Sequence, residues 1–257
     1  MISSEIKYIN FSIIIPVYVK ENPVYLKECL ASVQKQTLKP QEVIICIDRS
    51  ITSEIRKALD SFKDALNIVE YVYSGKNQLG GSLNLGVLKS NNDMIIRMDA
   101  DDICFEGRFE KLINFFVKED LDLLGSWTEE FYTIPGDLKY LRKTPQEIKK
   151  GSGWWRCPFN HPSVIFKRHK VLEAGNYQRC LGFEDWYLWL RMKSKGMNMS
   201  NIPEPLVFQR IGNGFEFRRS GKDYLRKKIQ ALRLWSSLNL IPKWVFLLTI
   251  IIEVIFR

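Results

Sequence analysis

The sequence predicts an α/β fold in which helices flank a mainly parallel central sheet. Four short β-branched runs alternate with helical patterns in the first hundred residues, and they are FSIIIPV (11–17), EVIICI (42–47), NIVEYVY (67–73) and DMIIRM (93–98). Three of the runs are nearly unbroken, which is typical of strands that helices cover on both faces. Because a strand–helix–strand order favours crossover connections, we expect these strands to be parallel, in a Rossmann-like arrangement.

The helices are predicted from their start signals and apolar spacing. The first is expected over residues 21–36, with Asn22 as the N-cap and Pro23 at its first position. The second is expected over residues 52–66, after a Thr/Ser start. Further along, the pattern is mixed, but EDWYLWLRMKSKG predicts a helix that ends at a C-capping Gly196.

The composition is that of an ordinary globular protein, with 257 residues of which 46% are hydrophobic. Its five cysteines are scattered and form no CxxC pair, which argues against a disulfide framework and against a structural zinc site. The first residues show no basic start followed by a long apolar run, so no secretory signal is expected. We therefore expect the chain to lie in the cytoplasm.

The net charge of +9 is unevenly distributed along the chain. Residues 1–150 hold 20 basic and 22 acidic side chains, whereas residues 151–257 hold 18 basic and 7 acidic ones. A segment this basic has either an anionic partner or a solvated, solubilising face.

Residues 216–257 are predicted to form a basic helix followed by an apolar one. The apolar run from Trp244 to Phe256 is thirteen residues long and contains Glu253, so it is too short to cross about 30 Å of hydrocarbon. Flanked by Lys243, it favours a helix that lies on the anionic cytoplasmic surface of a membrane. The alternative is a basic solvated helix followed by one that packs on the rest of the protein or on another subunit.

Polar residues follow the ends of all four predicted strands. Tyr18 follows the first, Asp48 the second, SGKNQLGGSLN (74–84) the third and MDADD (98–102) the fourth. In parallel sheets, ligands bind beyond the carboxyl ends of the strands. The sequence therefore predicts a ligand site at this edge, although GKNQLGG by itself is more typical of a turn before a helix and lacks the spacing of a phosphate-binding P-loop.

Three of four consecutive residues, Asp99, Asp101 and Asp102, are aspartates. Residues two apart in an extended segment point to the same side, so Asp99 and Asp101 are expected to share a face that Asp102 does not. Two carboxylates on one face suit Mg²⁺ or Mn²⁺ and leave coordination positions for phosphate oxygens. Alternatively, one aspartate caps the helix that begins near Glu106 and the others are solvated.

Glu184 and Asp185 form a second acidic pair, at the start of a predicted helix. Acidic residues in a first turn often only complement the helix dipole. A carboxylate that faces a sugar nucleotide can instead remove the proton of an attacking hydroxyl. His161, in NHPSV, also has two interpretations: a donor to the acceptor or a phosphate, or a histidine satisfied within its turn.

Six motifs, in order, resemble those of family 2 glycosyltransferases with the GT-A fold: SIIIPVY, ICIDRS, GGSLNLG, MDADD, HPSVIF and EDWYLWLR. The resemblance covers residues 10–210 and is closest to bacterial enzymes that extend O-antigen or exopolysaccharide repeat units. It implies a GT-A catalytic domain over residues 1–215, with a nucleotide-binding half over about 1–103 and an acceptor half over 104–215. The helices of residues 216–257 would follow as a membrane-associating segment.

The resemblance also implies roles for individual residues. Asp101 would be the principal metal ligand, and Asp99 would contact the ribose or the metal shell. The nucleotide-sugar contacts would be Pro16, Tyr18, Asp48, Lys76, Asn84 and Asp99. On the acceptor side Asp185 would be the general base, and the residues that help to bind the acceptor would be Glu184, His161 and Trp155.

Some positions depart from the family pattern. The chain has Ile47 before Asp48 where two aspartates are common, and Arg49 in place of a glycine. It also lacks a histidine in QRIGNG (209–214), where Arg210 is expected to serve the phosphates instead. These departures bear on the choice of sugar rather than on the reaction type.

The implied function is an inverting, metal-dependent transfer of a hexose from a UDP-sugar, with UDP-Glc or UDP-Gal favoured, to a polyprenyl-diphosphate-linked saccharide at the cytoplasmic membrane surface. Asp185 would deprotonate the acceptor hydroxyl, which displaces UDP with Mn²⁺ or Mg²⁺ as cofactor.

Two other classes of protein stay open. A metal-dependent nucleotidyltransferase also has paired carboxylates at such an edge, but it usually carries a Gly-rich signature near the first strand. A basic nucleic-acid-binding protein would interleave Lys and Arg with aromatics along a groove.

Overall fold

The computed structural model describes residues 9–75, 78–138, 140–149, 151–212 and 221–255. The strands within these ranges are β1 (Phe11–Tyr18), β2 (Glu42–Asp48), β3 (Ile68–Tyr73), β4 (Met94–Arg97), β5 (Ile103–Cys104), β6 (Leu123–Phe131), β7 (Tyr140–Arg142), β8 (Ile165–Lys167) and β9 (Met199–Arg210). The helices are α1 (Pro23–Gln34), α2 (Ser53–Asp60), α3 (Gln78–Lys89), α4 (Arg108–Lys118), α5 (Arg168–Glu173), α6 (Glu184–Ser194), α7 (Gly221–Ser237) and α8 (Lys243–Ile255).

The strands form one mixed sheet in the order β3-β2-β1-β4-β8-β6-β9-β5, with β7 paired to β6. Strands β3, β2, β1 and β4 are mutually parallel, as predicted. Strand β8 is antiparallel to both of its neighbours, β4 and β6, whereas β6 and β9 are parallel. The predicted α/β fold with flanking helices is confirmed, and its sheet is parallel in the first half and mixed in the second.

The register of the parallel strands places polar residues side by side at one edge. Tyr18 pairs with Asp48, and Asp48 pairs with Tyr73, at the carboxyl ends of β1, β2 and β3. The turn of residues 98–102 follows β4, which lies on the other side of β1. The four strand ends that the sequence singles out therefore meet at one edge.

Local signals explain where the first helices begin and end. The side chain of Asn22 accepts a hydrogen bond from the backbone N–H of Val24, and Pro23 occupies the first turn of α1, as predicted. Thr52 caps α2 in the same manner. This helix ends at Asp60 rather than at residue 66, because residues 61–66 turn back towards β3 while Leu66 stays buried.

The two faces of the sheet carry separate apolar clusters. Helices α1, α2 and α4 cover one face, and α3, α5 and α6 cover the other. Helix α3 lies especially close to the sheet at Gly86, where a Cβ atom would come within 2.6 Å of the Cys46 sulfur. Burial on both faces explains the nearly unbroken apolar runs of β1 and β2.

A third apolar cluster joins the C-terminal helices to α6. Trp235 of α7 is fully buried and its ring centroid lies 5.0 Å from that of Trp186 on α6. Ile241 and Val245 complete this contact from the start of α8. The inner faces of α7 and α8 thus pack on the rest of the protein, the alternative considered for this segment, and their outer faces are exposed. Among the described helices none is long and apolar enough to cross a membrane.

Candidate active site

Asp99 is held by a buried arginine. The guanidinium of Arg97, with only 2% of its side chain exposed, donates to both carboxylate oxygens of Asp99, whose side chain is 32% exposed. Arg97 is itself fixed, because its backbone carbonyl accepts a 3.0 Å hydrogen bond from Arg108. Asp99 is therefore oriented by the protein before any ligand binds.

Asp101 and Asp102 lie in different environments. Asp101 is partly exposed, whereas Asp102 is buried, which matches the predicted alternation. One carboxylate oxygen of Asp102 accepts a hydrogen bond from the backbone N–H of Arg210, and the other has no hydrogen-bond partner. Burial, and then the charges of Asp99 and Asp101, raise the pKa of Asp102 well above its usual range.

The structure places Arg210 beneath this turn rather than at the phosphates. Its guanidinium is buried and donates to the backbone carbonyls of Asp101 and Thr133 and to the carboxylate of Glu28. It also lies 3.9 Å from the ring centroid of Tyr25. The expectation that Arg210 serves the phosphates is thus not met, because its donors are used to fix the acidic turn.

These carboxylates fit a small divalent cation. Within the described residues, no group of three or more His, Cys, Asp and Glu side chains is placed to cage a metal. Mg²⁺ and Mn²⁺ do not need such a cage, because one or two carboxylates and the substrate phosphates can hold them. Asp101, with Asp99 beside it, offers the hard oxygen donors that this mode requires.

The opposite end of the same sheet edge offers a hydrogen-bond acceptor for a nucleobase. One carboxylate oxygen of Asp48 is buried without a hydrogen-bond partner, 3.9 Å from the Arg49 side chain. Tyr18 is exposed beside it and Pro16, two residues earlier on β1, is partly exposed. A cavity of about 390 Å³ between the end of β2 and the start of α2 is lined by Arg49 and its neighbours and not by Asp48, Tyr18 or Pro16. An unpartnered carboxylate oxygen of this kind favours a ligand with an N–H group.

Asn84 joins the two halves of the protein. Its side-chain amide donates to the backbone carbonyl of Tyr177 at 3.0 Å, and its backbone carbonyl accepts from the side chain of Asn176 at 3.1 Å. The predicted nucleotide-sugar contact therefore stands at the junction of α3 and the acceptor half. Lys76, the other predicted contact in this segment, lies outside the described residues.

Asp185 stands in the first turn of α6 and faces His161. The Asp185 carboxylate, 25% exposed, lies 3.9 Å from Nδ1 of His161, which is 13% exposed. The other ring nitrogen of His161 is 2.9 Å from the hydroxyl of Tyr177. Burial raises the pKa of Tyr177 above its ordinary value, so its hydroxyl stays protonated.

The carboxylate of the neighbouring Glu184 is engaged by the backbone before α6. Its carboxylate accepts hydrogen bonds from the backbone N–H groups of Cys180 and Gly182, both at 3.2 Å. Trp155 is exposed at the outer end of this region, with its ring centroid 5.9 Å from that of Trp244 on α8. The structure thus brings His161, Glu184 and Asp185 together and places Trp155 beside the C-terminal helix.

The sequence did not predict two of the site's central residues. Arg97 stands as the one cation in the apolar run before the acidic cluster, MIIRMDADD, a position that is compatible with a counter-ion role. Tyr177 gives no such signal, because its contact with His161 joins two irregular segments.

The Tyr177 hydroxyl contacts His161, which faces Asp185. Polar groups and an acidic turn beyond the carboxyl ends of parallel strands are typical of enzymes that act on nucleotide-activated substrates. The model of glycosyl transferase family 2 matches residues 12–175, and the chain belongs to this family. It is a glycosyltransferase, which decides against the nucleotidyltransferase and nucleic-acid-binding alternatives.

Relatives and solved structures agree with this assignment. The chain is 36% identical over 252 residues, 96% of its length and 91% of the relative's, to the UDP-Gal:alpha-D-GlcNAc-diphosphoundecaprenol beta-1,3-galactosyltransferase of Escherichia coli. It is 33% identical to the amylovoran biosynthesis glycosyltransferase AmsE of Erwinia amylovora, covering 89% of this chain and 86% of that one. The mannosyltransferase PcManGT of Pyrobaculum calidifontis, solved with GDP-Man and Mn²⁺, shares the fold with a TM-score of 0.63 at 13% identity, over 95% of this chain and 80% of that one.

Proposed function

We propose that the protein transfers a hexose, with galactose favoured over glucose, from a UDP-sugar to a saccharide carried on polyprenyl diphosphate, with inversion at the anomeric carbon. The observation that carries this proposal is that the acidic turn of Asp99 and Asp101 follows β4 at the carboxyl edge of the sheet, while the partly exposed Asp185 carboxylate stands in the first turn of α6 and faces His161. The Escherichia coli relative, named for UDP-Gal and a GlcNAc-diphosphoundecaprenol, supports the choice of donor and acceptor. The reaction is one step in the synthesis of a bacterial surface polysaccharide.

The reaction is a single displacement. Asp185 takes the proton of the acceptor hydroxyl, the hydroxyl oxygen forms a bond to the anomeric carbon, and the bond from that carbon to the diphosphate breaks. One base is sufficient, because no covalent intermediate forms. Asp101, with Asp99 held by Arg97, would bind Mn²⁺ or Mg²⁺, which neutralises charge on the diphosphate.

We assign Asp48 to the binding of the uracil base of the donor. Its unpartnered buried oxygen can accept the imide N–H of uracil, and the exposed ring of Tyr18 lies beside it to cover the base. Adenine has no ring N–H at the matching position, so this acceptor discriminates against ADP.

Thermal unfolding with UDP, GDP or ADP, each with and without Mn²⁺, tests the donor class. A ligand at a hundred times its dissociation constant adds about 2.7 kcal/mol of stability, so we expect a clear Mn²⁺-dependent shift with UDP. Transfer from UDP-Gal and UDP-Glc to a synthetic GlcNAc-diphosphate lipid then tests the reaction. A shift with GDP alone would overturn the uracil assignment, and absence of transfer from every UDP-sugar would overturn the function.

We also propose that the protein lies on the cytoplasmic face of the membrane through α7 and α8. Trp244, Leu247, Leu248 and Ile251 are exposed at helical spacing along one side of α8. Exposed basic side chains accompany them on α7 and at the start of α8: Lys222, Arg226, Arg233 and Lys243. An apolar stripe beside basic groups suits an anionic lipid surface, where a polyprenyl-linked acceptor is also found.

Cosedimentation with phosphatidylglycerol vesicles tests the membrane contact. Replacing Leu247 and Ile251 by serine should release the protein, because both are exposed on the stripe and neither contributes to the packing on α6. Ile134→Ser removes an exposed apolar side chain elsewhere on the surface and should leave binding unchanged. Binding that survives the double substitution would reject the proposed contact.

A further inference from the structure

The ring of His161 is turned towards protein groups on both of its nitrogens. Nε2 lies 2.9 Å from the Tyr177 hydroxyl, and Nδ1 lies 3.9 Å from the Asp185 carboxylate. The ring is also packed, with its centroid 6.0 Å from that of Trp189. The acceptor contact predicted from the sequence stays a prediction, and within the protein the ring lies between Tyr177 and Asp185.

The backbone around His161 is fixed by buried hydrogen bonds. The side chain of Asn160 donates to the carbonyls of Ser126 and Arg142, at 3.0 and 2.9 Å. The carbonyl of Pro162 accepts a 2.8 Å hydrogen bond from the buried guanidinium of Arg108. His161 is therefore held in place from both sides of its short turn, in the manner expected of a group that orients another.

The hydrogen bond at one ring nitrogen determines the proton at the other. Tyr177 is neutral, because burial raises its pKa, and its hydroxyl can donate to Nε2. The ring then carries its own proton on Nδ1, the nitrogen that faces Asp185. Among the described residues, the charged groups that act on Tyr177 are Asp185 on α6, Arg97 at the end of β4 and Asp99 just after it.

We propose that His161 is a positioning residue for the general base: its ring, set by Tyr177, orients the Asp185 carboxylate towards the acceptor hydroxyl. The 3.9 Å separation makes this an electrostatic contact rather than a full hydrogen bond. Glu184 is less suited to act as the base, since backbone N–H groups of its own turn donate to its carboxylate. The inference rests on the proposed function, in which Asp185 is the base.

Two isosteric substitutions test the two ring nitrogens of His161 separately. The amide nitrogen of Asn occupies the position of Nδ1, and that of Gln the position of Nε2. We expect His161→Ala to lower kcat about 10- to 100-fold, the cost of a misplaced catalytic group, with the acceptor KM nearly unchanged. His161→Asn should recover most of the loss and His161→Gln little of it.

Three results would overturn the proposal. A rise in the acceptor KM with kcat unchanged would make His161 an acceptor contact. Rescue by Gln in place of Asn would reduce its role to packing against Tyr177. Wild-type kinetics in all three variants would leave it no role. Mn²⁺-dependent stabilisation by UDP serves as the folding control. If His161→Ala does not fold, Tyr177→Phe replaces it in the test, because it removes only the hydroxyl and should lower kcat several-fold.

A measurement without turnover separates this inference from the proposed function. The chain has only two histidines, so the ¹⁵N imidazole signals of His161 can be assigned with a His169→Asn variant. Asp185→Asn should move the Nδ1 signal of His161 and leave His169 unchanged. An unmoved signal refutes the contact even if the enzyme transfers galactose, and a moved signal supports it even if the substrate is another sugar.

Discussion

In the proposed function residues 9–103 form a donor half and residues 104–212 an acceptor half, and these two halves place their functional groups by different means. In the donor half, Tyr18, Asp48 and Asp99 stand at or just beyond the ends of strands whose register fixes where they meet. In the acceptor half, irregular segments are held by side chains that donate to backbone carbonyls. A regular scaffold thus positions the nucleotide groups, whereas individual buried polar residues position the acceptor groups.

Arg191 and Asn201 illustrate the second mode. Arg191 donates to the carbonyls of Ala174 and Asn176, which fixes the segment that leads to Tyr177. Asn201, fully buried, donates to two carbonyls of other irregular segments, at 2.7 and 3.0 Å. Each of these residues takes the place of a missing strand ladder, so each should be costly to remove.

The largest expected effect is on kcat, and it distinguishes Asp185 from the neighbouring Glu184. Asp185→Asn should lower kcat by ~10³-fold, within the range that general bases contribute. Stabilisation by UDP and Mn²⁺ should persist, because the donor half is untouched. Glu184→Gln is the matched control: its carboxylate caps a turn, so it should lose less than about tenfold in kcat and lower the melting temperature slightly. Equal losses in both variants would contradict the assignment of the base.

The second prediction concerns the donor half. Arg97→Met removes the counter-ion of Asp99 and should lower the free energy of unfolding by about 3 kcal/mol, the low end for a broken buried pair, because Asp99 is partly exposed. Urea unfolding measures the change. Adding Asp99→Asn should restore part of the stability, and Arg49→Met, at a side chain that is 58% exposed, should change little. If adding Asp99→Asn restored no stability, the uncompensated charge of Asp99 would not be the cause of the loss.

The sequence predicted where some of the site residues stand, and their roles stay predictions. Tyr18, Asp48, Asp99 and Asp185 stand at strand ends or at a helix start, which periodicity and caps mark. Tyr177 meets His161 across two irregular segments, and Arg191 donates to backbone carbonyls, which carry no side-chain identity for a pattern to record. The mixed second half of the sheet was unpredicted for a related reason, because β8 is only three residues long and pairs antiparallel with strands on both sides.

A third prediction compares two asparagines that make similar hydrogen bonds. Asn201 is buried and Asn198 is exposed, and each donates to two backbone carbonyls. Asn201→Ala should cost about 2 kcal/mol, because it leaves buried carbonyls unpaired, whereas Asn198→Ala should cost less than about 1 kcal/mol, because water replaces its bonds. Denaturant unfolding of both variants gives the two values. Equal costs would mean that burial does not determine the strength of these contacts.

The smallest effect is kinetic and concerns the five free cysteines. Burial raises the pKa of Cys46 and of Cys180 to about 12, and it also raises those of Cys29 and Cys104. Only a thiolate attacks a disulfide reagent, so at pH 8 these four should react slowly. Cys157, partly exposed in the acceptor half, should therefore account for a single fast phase that Cys157→Ser removes. If the fast phase survived that substitution, a thiol of the buried set would have to open to solvent. If that thiol were Cys29 or Cys46, the donor half would be less rigid than its strand register implies.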